Sequence, residues 1–142
     1  MTEWKDDYLG GSIILSDRYV SSNMVHQASK MNEDKREEFL DWLDDYEYNF
    51  YKIPRPDFTI FLDVPIEFSE KLMKDRKNKI TNEDEKDIHE KDIEYLRKTY
   101  RNSLYIAEKY NWKIIECVKD GKLRTIDDIN DEIYEYVLEK LK

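Results

Sequence analysis

Short, continuous apolar runs alternate along this chain with longer stretches in which apolar residues return every three or four positions. The first pattern suits strands buried on both faces, the second amphipathic helices, and their alternation marks an α/β fold. Three runs read as strands: Ser12-Ile13-Ile14-Leu15 after Gly10-Gly11, Phe58-Thr59-Ile60-Phe61-Leu62 after Pro56-Asp57, and Trp112 to Val118, which ends near the turn Asp120-Gly121. Between the first two, Phe39, Leu40, Leu43 and Tyr46 fall at helical spacing behind the acidic start Glu33-Asp34, predicting a helix of about four turns that Pro54 and Pro56 stop. Pro65 opens a further helix carrying Phe68, Leu72 and Met73, which dissolves into the basic, loop-like stretch Lys74 to Lys79. The longest helix carries Ile93, Leu96, Tyr100, Leu104 and Ala107, and a last one Ile129, Ile133, Val137 and Leu141. Three strands are too few for a complete doubly wound domain.

Composition narrows the picture. The 142 residues fit one domain, and an aromatic share of 13% is too high for a disordered tail even though 40% of residues are charged. A net charge of -9 argues against binding nucleic acid or an anionic membrane, so any phosphate must meet a local cationic cluster. A single cysteine, Cys117, excludes a disulfide framework and a cysteine zinc site. No apolar stretch is long enough for a membrane span or a signal core, and a reducing cytoplasm is the expected location.

Chemistry concentrates at the end of the first run, in Asp17-Arg18-Tyr19-Val20-Ser21-Ser22-Asn23-Met24-Val25-His26-Gln27. Open α/β sheets bind ligands beyond the carboxyl ends of their strands. Arg18 can clamp a phosphate with two parallel hydrogen bonds, and Asp17 can orient it or reach a magnesium ion through water. Asn23 and Gln27 lie four apart on a helix beginning near Ser21, so both can face one base edge. The plain alternative is an Asp17–Arg18 ion pair beside a helix that Ser21 and Ser22 cap. Trp42, Tyr46 and Tyr100 read as core residues and Cys117 as a small buried hydrophobe. His89, alone on a helix, could titrate near neutrality but points weakly to function.

The run DRYVSSNMVHQ resembles the thymidylate kinase pattern D-R-[Y/F/H]-x-x-S-x-x-[A/V]-[Y/F/H]-Q. RPDFTIFLDVP is similar to that family's P-D-L-T-x-x-L-D-V-P strand, MKDRKNK occupies its basic lid, and DIHE, from Asp87 to Glu90, sits where the family has D-x-[F/Y/H]-E. The later helix and C-terminal segment continue the resemblance along essentially the whole chain. It implies an α/β fold, the three-layer P-loop NTPase parallel sheet of nucleoside monophosphate kinases, here incomplete. Residues 1–142 would then be a single partial domain with a lid at about 74–90.

The resemblance also implies transfer of the ATP γ-phosphate to dTMP, giving dTDP, with Mg²⁺, in a family that is usually a homodimer. Arg18 would hold the dTMP phosphate and bridge the transferring group, and Asp17 would steady it and the metal-bound water. Ser22 belongs to the same binding run, and Asn23 and Gln27 would approach thymine and sugar. His26 stands in place of an aromatic that disfavours a 2′-hydroxyl, and brings a polar edge there. Arg76, with Lys77 or Lys79 as substitutes, would close over the ATP phosphates, unless this is a plain solvated charge run. Asp87 and Glu90 would organise the lid or sugar, or merely favour a helix N-terminus.

Missing is G-x-x-x-x-G-K-[S/T], since the only glycines are Gly10, Gly11 and Gly121. The chain is therefore expected to be a C-terminal portion carrying the acceptor-site and lid half, with the phosphate loop upstream of Met1. In the family's sheet the phosphate-loop strand lies between the strands matching Ser12–Leu15 and Phe58–Leu62, so its loss leaves unpaired edges that invite association or a complementing N-terminal segment. Two other readings stay open: a non-catalytic remnant that binds nucleotide or a partner, and another deoxynucleoside or nucleotide kinase, although deoxynucleoside kinases usually carry Glu-Arg-Ser where this chain has Asp-Arg-Tyr.

Overall fold

A computed structural model describes residues 4–77 and 86–142, with side chains described over 4–73 and 93–142. Its elements run α1 (Lys5–Leu9), α2 (Val20–Ala28), α3 (Glu33–Asp44) continued by a π-helical turn (Asp45–Phe50), β1 (Ile60–Asp63), α4 (Ile66–Lys77), α5 (Lys86–Lys109), β2 (Lys113–Glu116), β3 (Val118–Lys119), β4 (Lys122–Leu123) and α6 (Ile126–Lys140).

The core is made by helices. Val20, Met24 and Ala28 recur every fourth residue on α2 and pack with Leu40 and Leu43 of α3 and Ile106 of α5. Phe39, Tyr48, Tyr105 and Trp112 close its edges. Each fully buried side chain of this kind contributes roughly 1.5–3 kcal/mol of transfer free energy, so α2 is fixed chiefly by its apolar stripe. Buried Asn102 on α5 adds direction, because its amide donates to the carbonyl of Val25 at 2.7 Å and of Met24 at 3.4 Å.

β1 and β2 form a two-stranded parallel sheet in the register Ile60↔Lys113 to Asp63↔Glu116, with Ile115 fully buried. α6 lies against β2, capped at its start by the Thr125 hydroxyl, which accepts from the Asp128 N–H at 3.2 Å. Arg124 locks this corner, donating to the carboxylates of Asp128 and Glu132 and to the Glu116 carbonyl. β3 and β4 pair across Asp120-Gly121, both at positive φ, the backbone that a two-residue hairpin turn requires.

Three sequence expectations are corrected. Ser12–Leu15 pairs with no strand among the described residues, and Ile13 and Leu15 are 70% and 94% exposed. An apolar run becomes a strand only where a neighbour offers a ladder, and neither β1 nor β2 reaches it. Trp42 is 53% exposed rather than core, because it stacks outward on Tyr46 at 5.0 Å while Leu40 and Leu43 take the buried side. α4 continues helically from Lys74 to Lys77, where the composition reads as loop. The expected helical stop before Pro54 and Pro56 does occur, through the wide turn in which the Tyr51 N–H reaches the Tyr46 carbonyl.

Candidate functional site

Asp17 and Arg18 lie on the short loop that feeds α2, just after Ser12–Leu15. The loop is shaped by Ser16, whose hydroxyl donates to the Arg18 carbonyl at 2.9 Å, and by Arg18 itself at φ 72°. A non-glycine residue in that left-handed region costs about 1–3 kcal/mol, and such positions cluster at functional sites. Tyr19, extended at φ -150°, then turns the chain into the helix, and its hydroxyl donates to the Pro54 carbonyl at 3.0 Å.

The period of α2 sorts the remaining residues. With Val20, Met24 and Ala28 facing the core, Ser22 and His26 share one flank and Asn23 and Gln27 share the exposed face, as their four-residue spacing requires. Arg18 Nε donates to the Ser22 hydroxyl at 3.1 Å. Neither terminal guanidinium nitrogen has a partner among the described residues. The guanidinium is thus anchored at one edge and open at the fork that grips a phosphate in bidentate fashion. Asp17 is exposed and forms no ion pair with Arg18 among the described residues, so Ser22 rather than Asp17 steadies the arginine here. Gln27 accepts from the Lys30 ammonium at 3.2 Å.

His26 is half-buried. Its Nδ1 lies 3.2 Å from the hydroxyl of Tyr95 on α5, and the two rings stack with centroids 6.5 Å apart. Burial lowers the imidazole's affinity for a second proton below its ordinary value, and the nearby cations Arg18 and Lys30 lower it further. Sequence reasoning missed Tyr95. It stands 69 residues from His26 at a position with no special spacing, and nothing in one sequence pairs them. Asn102 does leave a mark in the sequence, as a carboxamide between the apolar positions Tyr100 and Leu104.

Of the lid residues, Arg76 and Lys77 belong to α4 and Asp87 and Glu90 to α5, but their side chains, with all of Lys79, lie outside the described residues. The same holds for the His89 side chain. Cys117 is buried, and burial pushes its thiol up, which suits a packing role. Among the described residues no group of three His, Cys, Asp or Glu could hold a metal ion, and no helix is long and apolar enough to cross a membrane. A cleft of about 610 Å³ between α2, α3 and α5 includes Lys30, Arg36 and Tyr95, and Arg18 is exposed and does not line it.

Set beside known proteins, the family model described as thymidylate kinase matches residues 2–129. The chain is 31% identical over 128 residues to the thymidylate kinase of Limosilactobacillus fermentum, covering 87% of this chain and 54% of that protein. It is 30% identical over 132 residues to the thymidylate kinase of Sulfurihydrogenibium sp., covering 93% and 55%. The thymidylate kinase of Mycoplasma capricolum is 28% identical over 130 residues, with 92% and 55% covered. The chain therefore spans about half the length of the curated relatives it matches. No solved structure gives a significant match.

Proposed function

The chain belongs to the thymidylate kinase family, and we propose that it carries the acceptor-nucleotide and lid half of a dTMP kinase, the donor-phosphate loop being supplied from outside these 142 residues. The observation that carries this reading is the Arg18 guanidinium, anchored through Nε to Ser22 at 3.1 Å with its terminal nitrogens unpaired among the described residues. In the proposed complex those nitrogens take the dTMP phosphate, and Ser22 holds their orientation. Asn23 and Gln27, exposed on one face of α2, meet the thymine and sugar, and His26 meets the deoxyribose.

Phosphoryl transfer asks little covalent chemistry of a protein. Positioning and neutralisation of charge on the transferring group carry the rate. In this reading Arg18 bridges acceptor and transferring phosphates while Arg76, Lys77 or Lys79 closes over ATP from the lid at about 74–90. Mg²⁺ is commonly bound through one or two carboxylates plus substrate phosphates, and the exposed Asp17 carboxylate beside Arg18 fits that pattern. Asp17 would hold it through water, where it supplies charge neutralisation on the phosphates. Asp87 and Glu90 would order the lid. The whole chain would be one partial domain of the cytoplasm, completed by a homodimer partner or by an N-terminal segment bearing the phosphate loop. The exposed apolar run Ile13 to Leu15 supports the second arrangement, since a strand laid along it would bury Ile13 and Leu15.

Binding of dTMP to the purified chain, followed by calorimetry, tests the acceptor site without requiring turnover. Arg18→Ala should weaken it about tenfold to a hundredfold, the value of losing charge-assisted hydrogen bonds to phosphate. Equal affinity for both proteins would remove the assignment.

A further inference from the structure

We propose that Tyr95 is a positioning residue: its phenol holds Nδ1 of His26, fixes the imidazole as the Nε2–H tautomer, and so presents a hydrogen-bond donor where the nucleotide's sugar lies, admitting a 2′-hydroxyl. The consequence for the sugar rests on the acceptor-site reading above; the tautomer does not.

Tyr95 is the first rung of a polar seam between α5 and α2. Tyr95, Thr99 and Asn102 stand at i, i+4 and i+7, one face of α5. Their partners on the other side are His26 at 3.2 Å, the Ser29 hydroxyl at 3.4 Å and the Val25 carbonyl at 2.7 Å. Asn102 is 2% exposed, so the rotation of α2 is set from inside the protein at the residue next to His26. The Tyr95–His26 contact lies at the exposed end of this seam, Tyr95 being 37% exposed, and the two rings lie 22° from parallel with centroids 6.5 Å apart.

Hydrogen-bond chemistry then chooses the proton's place. A phenol O–H is a stronger acid than a neutral imidazole N–H, and an imidazole lone pair is a stronger base than a phenol oxygen. The hydroxyl therefore donates to Nδ1, and the ring's own proton must sit on Nε2. Burial of the ring, with the nearby charges of Arg18 and Lys30 adding to it, disfavours a second proton. An Nε2–H aimed at C2′ of a deoxyribose finds no acceptor, whereas a 2′-hydroxyl oxygen accepts from it. A neutral hydrogen bond of this kind is enough to bring the two sugars within about tenfold of each other in affinity.

The tautomer is read directly from the ¹⁵N shifts of the two histidines in the labelled chain, with His89→Gln to assign them. Wild-type His26 should show a protonated Nε2 and an unprotonated Nδ1, and Tyr95→Phe, which keeps the ring and removes the hydroxyl, should give a mixture of both tautomers. A wild type protonated at Nδ1, or spectra unmoved by Tyr95→Phe, would overturn the role of Tyr95 whatever the chain binds. For the sugar, dTMP and ribothymidine monophosphate should bind within about tenfold of each other, and His26→Phe should widen the preference for dTMP at least about tenfold. An unchanged ratio, or binding of neither nucleotide, would overturn the sugar consequence and leave the tautomer result to decide Tyr95 alone.

Discussion

Replacing Asn102 on α5 should show how far α2, and with it the candidate site, depends on one buried amide. Asn102 is 2% exposed and its nitrogen donates to two carbonyls of α2, so flipping the amide would set oxygen against oxygen. One of those carbonyls, that of Val25, belongs to the last turn of α2, where intrahelical donors run out. Asn102→Leu removes about 1 kcal/mol of hydrogen bonding and strands the Val25 carbonyl at about 1–3 kcal/mol. Against this, the Asn102 oxygen has no partner among the described residues, and its removal recovers about 1 kcal/mol. The net loss is about 1–3 kcal/mol, read as a lower midpoint in urea at low protein concentration. Asn102→Asp should be worse, because it buries a charge and turns a donor into an acceptor facing the same two carbonyls. A leucine variant as stable as the wild type, or an aspartate variant more stable than the leucine one, would show that the Asn102 amide does not fix α2.

Ile13→Lys with Leu15→Lys should reduce self-association in sedimentation without lowering the unfolding midpoint, since both side chains are exposed; a loss of stability would mean the run is already paired. Because the folded protein holds His26 below its ordinary affinity for protons, the unfolded state protonates first as pH falls. The stability associated with the neutral ring is present above about pH 6.5 and is lost as pH drops through the folded value, which burial lowers first and the charges of Arg18 and Lys30 lower further. Thermal melts of wild type minus His26→Gln should show that slope, and parallel curves would contradict it. Arg124→Lys should recover only part of the midpoint lost in Arg124→Ala, because a point charge cannot reach Asp128, Glu132 and the Glu116 carbonyl at once; full recovery would deny the forked geometry.

Local pattern was enough for much of this structure. Phe58 to Leu62 announced β1 to within two residues, and the spacing of Ile129, Ile133 and Val137 announced α6. The shared face of Asn23 and Gln27 followed from the helical period alone. What was not legible required knowledge of neighbours. Ser12 to Leu15 has the composition of a buried strand, but a strand is a relation between chains of atoms, and its sequence does not say whether a partner is there. Trp42 has the same spacing as a core residue, and the choice of side was made by Leu40 and Leu43. Tyr95 and His26 meet only because α5 crosses α2, a contact that leaves no local mark on either segment.

In the proposed reading this chain holds an acceptor site, and the donor-phosphate loop comes from outside these 142 residues. The most direct measurement is dTDP formation from ATP and dTMP by the chain alone, and by the chain mixed with an N-terminal, phosphate-loop-bearing fragment of the Limosilactobacillus fermentum thymidylate kinase, of which the match covers 54%. Neither part alone should turn over, the mixture should, and Arg18→Ala should abolish its turnover. Turnover by the chain alone, or a mixture indifferent to Arg18→Ala, would contradict this reading.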